Sequence, residues 1–136
     1  MGRSFQTLSF LASPTTEALA AREELIRIYG DVPADEADVI VALGGDGFML
    51  QTLHNTMNSG KLVYGMNRGS VGFLMNDYRS EQLQERICVA VENVFRPLQM
   101  TTANADGTNS TALAINEVYL FRQSYQAANL RVTVDG

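Results

Sequence analysis

Two glycine-rich stretches carry the residues of this chain best suited to chemistry. The first, Gly44-Gly45-Asp46-Gly47, lies between the apolar run 37–43 and a helical pattern, which predicts a strand-to-helix turn. Such turns bind phosphate, because free N–H groups and the positive end of the helix dipole point at the ligand. We expect the glycines to allow positive φ angles and to let a ligand approach the backbone. Because a carboxylate repels phosphate unless it binds a metal or accepts a proton, Asp46 favours phosphoryl transfer; the alternative is a tight turn with an aspartate helix cap.

The second stretch covers residues 67–74, reads Asn-Arg-Gly-Ser-Val-Gly-Phe-Leu, and follows the apolar run 62–66. If the two apolar runs form neighbouring parallel strands, both glycine loops emerge at the same edge of the sheet and form one site. Arg68 is the basic residue best placed for a phosphate, because it lies within a glycine loop. The alternatives are a turn for Asn67, a solvated charge for Arg68 and a core position for Phe73.

A third polar feature is the pair Asn116 and Glu117, which stands among the apolar neighbours of the predicted strand 111–122. Buried Asn and Glu side chains are uncommon without partners. The pair therefore either faces solvent at a strand end or takes part in binding, and composition alone favours solvent.

Hydrophobic periodicity places these residues on an α/β fold, with a Rossmann-like parallel sheet, right-handed crossovers and helices on both faces. After Pro97 the composition changes to that of an antiparallel hairpin. We therefore predict an α/β nucleotide-binding domain over 1–96 and the first strands of a β-rich domain over 97–136. The predicted elements are strands at 5–11, 37–43, 62–66, 97–102, 111–122 and 129–134, and helices at 15–29, 48–58 and 79–95.

Composition narrows the possible partners. The 136 residues are 46% hydrophobic, which is enough for a core, and the net charge of −5 disfavours nucleic acid and anionic lipid as partners. No stretch approaches the roughly 20 apolar residues of a membrane span, and the N-terminus lacks the layout of a signal peptide. The single cysteine, Cys88, lies in an apolar run, so we expect a buried thiol and a cytoplasmic protein. His54 has no companions for a metal site, and a structural role is expected for it.

Taken together, three motifs in this order resemble those of the NAD kinases over nearly the whole chain. They are Gly44-Gly45-Asp46-Gly47, the loop 67–74, and Asn116-Glu117-Val118. The first motif also occurs in diacylglycerol kinases, sphingosine kinases and phosphofructokinases, so it marks only a superfamily. The second and third motifs together are more specific.

The resemblance implies transfer of the terminal phosphate of ATP, or of polyphosphate, to the 2′-hydroxyl of the adenosine ribose of NAD. A divalent cation such as Mg²⁺ would be recruited with ATP. Asp46 would be the general base, Gly47 a backbone contact to the dinucleotide, and Phe73 a surface for a base. Asn116 and Glu117 would hold the ribose or nicotinamide end. The expected substrate-binding set is Gly45, Asp46, Gly47, Asn67, Arg68, Phe73, Asn116 and Glu117.

The chain also departs from the family pattern. Phe48 stands where a small hydroxyl residue is usual, and Asn76 stands where the family often has Asp. The family continues with a β-rich domain whose Gly-Ser-Thr-Ala-Tyr motif completes the site, and that motif is absent from these residues. We therefore expect most of that domain to be missing, the 136 residues alone to be inactive, and the protein to form a dimer or tetramer.

Three other functions stay open. Another kinase with the Gly-Gly-Asp-Gly motif would phosphorylate a lipid or a sugar. A non-catalytic dinucleotide-binding module would use the same loops without turnover. A Rossmann oxidoreductase is disfavoured, because no G-x-G-x-x-G follows the first strand.

Overall fold

A computed structural model describes residues 4–70 and 72–136, so the first three residues and Val71 of the second glycine loop lie outside the description. The prediction about the N-terminal layout rests partly on those first residues. The elements in chain order are β1 (Leu8–Ala12), α1 (Thr16–Tyr29), β2 (Val39–Gly44), α2 (Asp46–Thr56), β3 (Leu62–Asn67), α3 (Leu83–Val89), β4 (Leu98–Ala103) and β5 (Asn109–Ala114).

The first three strands form a parallel sheet in the order β1-β2-β3. All six residues of β2 are buried, as expected of a central strand whose sequence is continuously apolar. Helix α1 begins at its Thr15 cap and ends at Gly30, whose φ of 78° lies in the left-handed region. The predicted α/β fold with a parallel sheet is confirmed.

Helices cover both faces of this sheet, as predicted. Phe10, Val41 and Tyr64 share one face, and they belong to the buried cluster that α1 and α3 complete. Gly65 points to the other face, where a Cβ atom added to it would lie 3.0 Å from Met49 Sδ of α2.

The two crossover connections of the sheet have opposite hands. The strands follow one another across the sheet in chain order, but α1 and α2 lie on opposite faces. Two right-handed connections that advance in the same direction would place both helices on the same face. One connection is therefore left-handed, and the prediction of right-handed crossovers is wrong for it.

The predicted helix over 79–95 is wrong at both ends, because α3 covers only Leu83–Val89. Gln82 has a φ of 51°, a left-handed conformation that a helix running through it cannot contain. At the other end Ala90 is extended, and Val91 is 84% exposed, so the apolar positions of the pattern have no surface to pack against. Only Leu83 and Ile87 reach the core.

Strands β4 and β5 form the predicted antiparallel hairpin, with a turn at Gly107. The predicted strand 111–122 is too long, because β5 ends at Ala114 opposite Leu98. The residue before Leu98 is Pro97, which has no N–H to extend the ladder. Residues 115–136 are described throughout and contain no strand, so the strand predicted at 129–134 is also wrong. The domain boundary after residue 96 stays a prediction.

Within the described ranges, no helix combines the length and the hydropathy that a membrane span requires.

Two glycines allow a matched test of this packing. A Cβ atom at Gly44 would lie 3.0 Å from Phe48 Cβ, close to the backbone, where little movement is possible. We expect Gly44→Ala to lower the free energy of unfolding by about 1–3 kcal/mol. At Gly65 the nearest atoms are the Met75 and Met49 sulfurs, which can move aside. Gly65→Ala should therefore cost less than about 1 kcal/mol in urea unfolding, and a larger loss than for Gly44→Ala would contradict this packing.

Candidate functional site

The two glycine loops meet at the carboxyl ends of β2 and β3. The Arg68 N–H donates to the Gly44 carbonyl over 2.8 Å, and a Cβ atom added at Gly69 would lie 3.6 Å from Gly45 Cα. The structure therefore brings the two stretches together at one edge of the sheet, which is where open α/β sheets bind ligands.

Asp46 joins the two loops. Its Oδ2 accepts a hydrogen bond from the Phe73 N–H, and its Oδ1 accepts one from the Leu74 N–H, each over 2.9 Å. We call this pair of hydrogen bonds the Asp46 bridge. Asp46 is the first residue of α2, and the cap position before it is Gly45, so the side chain does not act as the helix cap. An ionised carboxylate offers about four acceptor positions, and the bridge leaves two of them for a ligand hydroxyl.

The glycines of the first loop are not required by backbone conformation. None of the three has a positive φ, and Gly45 has a φ of −110°. The expectation of positive φ at this turn is wrong. A Cβ atom added at Gly45 or Gly47 would meet nothing within 4 Å. What Gly45 and Gly47 provide is bare backbone that faces open space, where a ligand can approach closely.

Phe48 and the two asparagines have local structural roles. The Phe48 ring lies over Gly44, and it lines a cavity beside Leu11. Asn67 Oδ1 accepts the Gly69 N–H over 2.9 Å, which is the turn-forming role considered for it. Asn76 Nδ2 donates to the Gly65 carbonyl over 3.0 Å. An aspartate at that position could not donate this bond, so the departure at residue 76 has a structural reason.

Arg68 is held by two residues that sequence reasoning missed. Its guanidinium carbon lies 3.7 Å from the centroid of the Tyr78 ring, and the Tyr78 hydroxyl donates to Glu24 Oε2 of α1 over 2.6 Å. Burial and the Glu24 carboxylate raise the pKa of Tyr78 to about 12, so the hydroxyl stays a donor. The Tyr78 hydrogen bond in turn lowers the pKa of Glu24. No motif connects residue 24 with residue 78, so only the fold reveals this group.

Phe73 is 91% exposed, so the core position considered for it is wrong. With Leu74 it lines an open cleft of about 540 Å³, the Phe73 cleft, which also contacts Leu113 and Ile115 near the end of β5. Asp46 holds Phe73 and Leu74 in place by accepting hydrogen bonds from their backbone amides.

Asn116 and Glu117 lie just beyond β5, and both are exposed, as composition favours. Within the described part of the chain, neither side chain makes a hydrogen bond. Ile115 lines the Phe73 cleft, so the pair follows directly on a residue of that cleft.

Metal-ligating side chains also occur among the described residues outside the glycine loops. In residues 4–70 and 72–136 no group of three His, Cys, Asp or Glu side chains could hold a metal ion. His54 is exposed in the last turn of α2, so it lies at the surface, and its structural role stays a prediction. Cys88 is half-buried rather than buried.

Comparison with known proteins gives relatives along the entire chain. The chain is 67% identical to a NAD kinase of Rhizobium meliloti over 136 residues, which are all of this chain and 53% of that protein. It is 57% identical to a NAD kinase of Brucella suis over 95% of the chain and 50% of the relative. It is 54% identical to a NAD kinase of Caulobacter vibrioides, over 95% of this chain and 50% of that protein. No family model matches the chain.

These relatives confirm the resemblance to NAD kinases that the three motifs indicate. The chain spans about half the length of the curated relatives it matches. The roles of the individual site residues stay predictions.

The Asp46 bridge can be tested without any ligand. Asparagine has one oxygen, so Asp46→Asn loses one acceptor and turns an NH₂ group toward a backbone N–H. We expect this variant to be about 1–3 kcal/mol less stable, with faster hydrogen exchange at the Phe73 and Leu74 amides. Asp77→Asn makes the same charge change at an exposed neighbouring position and should leave both amides protected. Equal exchange in the two variants would argue against the bridge.

Proposed function

We propose that this chain forms the α/β part of a NAD kinase, which transfers the terminal phosphate of ATP, or of polyphosphate, to the 2′-hydroxyl of the adenosine ribose of NAD. The product would be NADP. The observation that carries the proposal is the junction of the two glycine loops through Asp46, in a chain 67% identical to a NAD kinase. Because the chain spans half of such relatives, we assign turnover to the longer protein and not to these residues alone.

Asp46 is the residue proposed to remove the proton of the ribose hydroxyl. The hydroxyl oxygen becomes a good nucleophile only as its proton leaves, and a carboxylate within hydrogen-bond reach accepts it. The two N–H donors of the bridge fix the orientation of the carboxylate and leave acceptor positions for that hydroxyl. The bare backbone at Gly45 and Gly47 gives the sugar room to come close.

The remaining predicted residues would bind the rest of the dinucleotide. An exposed ring such as that of Phe73 is a surface on which a planar base can stack. Asn116 and Glu117, exposed beside the Phe73 cleft, offer an amide and a carboxylate for ribose or amide groups.

Magnesium is proposed as a companion of ATP. Mg²⁺ is typically bound through one or two carboxylates, several waters and substrate phosphates. Such a shared site needs few protein ligands, and the described residues contain no group of three His, Cys, Asp or Glu side chains that would hold the ion by themselves. The cation would neutralise phosphate charge, while Asp46 and the loop amides orient the acceptor.

We also propose a cytoplasmic homo-oligomer. The resemblance supports both points. A group of large apolar residues outside the parallel sheet is exposed in this chain, which spans about half the length of its relatives, and either the rest of the longer protein or a second copy would cover it. This group consists of Val89, Val91, Val94, Leu98, Tyr119, Leu120, Phe121, Leu130, Val132 and Val134.

The decisive experiment is a chimera in which this chain replaces the aligned half of the Rhizobium meliloti NAD kinase. With ATP, Mg²⁺ and NAD we expect NADP, measured by an NADP-specific coupled dehydrogenase. A chimera that binds NAD without forming NADP would favour a non-catalytic module, and phosphorylation of a lipid or sugar instead would favour another kinase with this motif. In the active chimera, Asp46→Asn should lower kcat by about 10²-fold or more.

A substitution at Gly47 tests whether this glycine is needed for ligand binding and not for folding. In the N-terminal turn of α2 a Cβ atom has free space, so Gly47→Ala should raise the free energy of unfolding by up to about 1 kcal/mol. In the chimera the same methyl group would obstruct the dinucleotide and raise the KM for NAD. An unchanged KM in the stabilised variant would show that no ligand approaches this backbone.

A further inference from the structure

The surroundings of Arg68 suggest a role for residues outside the motifs. The backbone of Arg68 is fixed to the first glycine loop by the hydrogen bond to the Gly44 carbonyl. Its Nε atom is buried and has no hydrogen-bond partner among the described residues. Buried donors are rarely left without an acceptor, and an unpaired one next to a glycine loop needs an explanation.

No carboxylate neutralises Arg68 directly. Within the described part of the chain, Arg68 forms no ion pair, whereas Arg22 pairs with Asp31 at 3.1 Å. The chain has a net charge of −5, so it contains more carboxylates than basic side chains, and the missing ion pair is not due to a shortage of acidic residues. Instead, the guanidinium stacks on the face of Tyr78, which holds an arginine in place without a direct ion pair.

Tyr78 is itself fixed from the other side. Its hydroxyl donates to Glu24, which lies on α1, the helix packed against the core face of the sheet. Helix α1 therefore orients the Tyr78 ring through Glu24, and the ring in turn holds the Arg68 guanidinium. Of the three residues, only Arg68 reaches the glycine loops.

We propose that Tyr78 and Glu24 are positioning residues that hold the Arg68 guanidinium beside the glycine loops, where the Nη donors of that guanidinium bind an oxygen of a phosphate group. This inference rests on the proposed function, which requires phosphate groups at these loops. The phosphate is either that of the phosphoryl donor or the pyrophosphate of the dinucleotide. Both present the same anionic oxygens to a guanidinium.

The first test uses the 136-residue chain and inorganic pyrophosphate. In a ¹⁵N-labelled sample the Arg68 Nε–H resonance is identified by its loss in Arg68→Lys, and we expect it to shift on titration. Tyr78→Leu should weaken pyrophosphate binding about tenfold, which is the usual effect of losing one charged hydrogen bond. Tyr78→Phe keeps the ring but not the Glu24 bond, and both it and Glu24→Gln should weaken binding about threefold.

The matched control is Arg79→Gln, which removes an exposed positive charge one residue from Tyr78. It should leave the Arg68 resonance and the affinity unchanged. An Arg68 resonance that does not respond to pyrophosphate, or equal weakening by Arg79→Gln, would overturn the proposal. Thermal unfolding of each variant distinguishes lost binding from lost folding, and Tyr78→Phe is the conservative change if Tyr78→Leu does not fold.

The second test uses the chimera and separates the two sources of phosphate. If the donor phosphate binds Arg68, Tyr78→Leu raises the KM for ATP about tenfold, with kcat and the KM for NAD nearly unchanged. If the pyrophosphate of the dinucleotide binds, the KM for NAD rises instead. NADP formation with both KM values unaltered would overturn the positioning role and leave the proposed function intact. If the chimera is inactive but the Arg68 resonance responds to pyrophosphate, the proposed function is overturned and the positioning role stands.

Discussion

The site depends on one carboxylate that two loops share. The fold places Asp46 at the start of α2, where the helix dipole and the amides of Phe73 and Leu74 all favour a negative charge. Without that acceptor, the Phe73 and Leu74 amides would lose their hydrogen-bond partner and the second loop would lose its anchor. The side chain best placed for chemistry is thus also the one that assembles the site, so its orientation is fixed before any ligand arrives.

The three glycines of the first loop are glycine for different physical reasons. Gly44 is required by packing, because Phe48 occupies the space that a side chain would need. Gly45 and Gly47 are required by neither packing nor backbone conformation, and Gly47 even weakens its helix. A residue that costs stability where an alanine would fit points to a constraint outside the folded chain, and a ligand close to the backbone is the simplest such constraint.

The sequence was sufficient where structure depends on local signals. The buried strand β2, the capped helix α1 and the loop after β3 follow from apolar runs, caps and glycines. The errors fall where a segment needs a partner. The pattern over 79–95 is helical only where Leu83 and Ile87 reach the core, and β5 ends where β4 meets Pro97. The hand of a crossover and the meeting of residue 24 with residue 78 depend on topology, which periodicity does not contain.

An acidic chain can hold anionic ligands only if positive potential is concentrated locally. Here the concentration comes from the N-terminus of α2, the loop amides and one arginine that forms no ion pair within the described part of the chain. Glu24 accepts the Tyr78 hydroxyl and forms no ion pair with Arg68 among the described residues, so the acid anchors the ring and leaves the guanidinium donors unoccupied by a carboxylate. A direct ion pair would have fixed the arginine equally well, but its donors would then have been occupied. Stacking satisfies both requirements, which is why the aromatic residue, and not a second acid, is the one in contact.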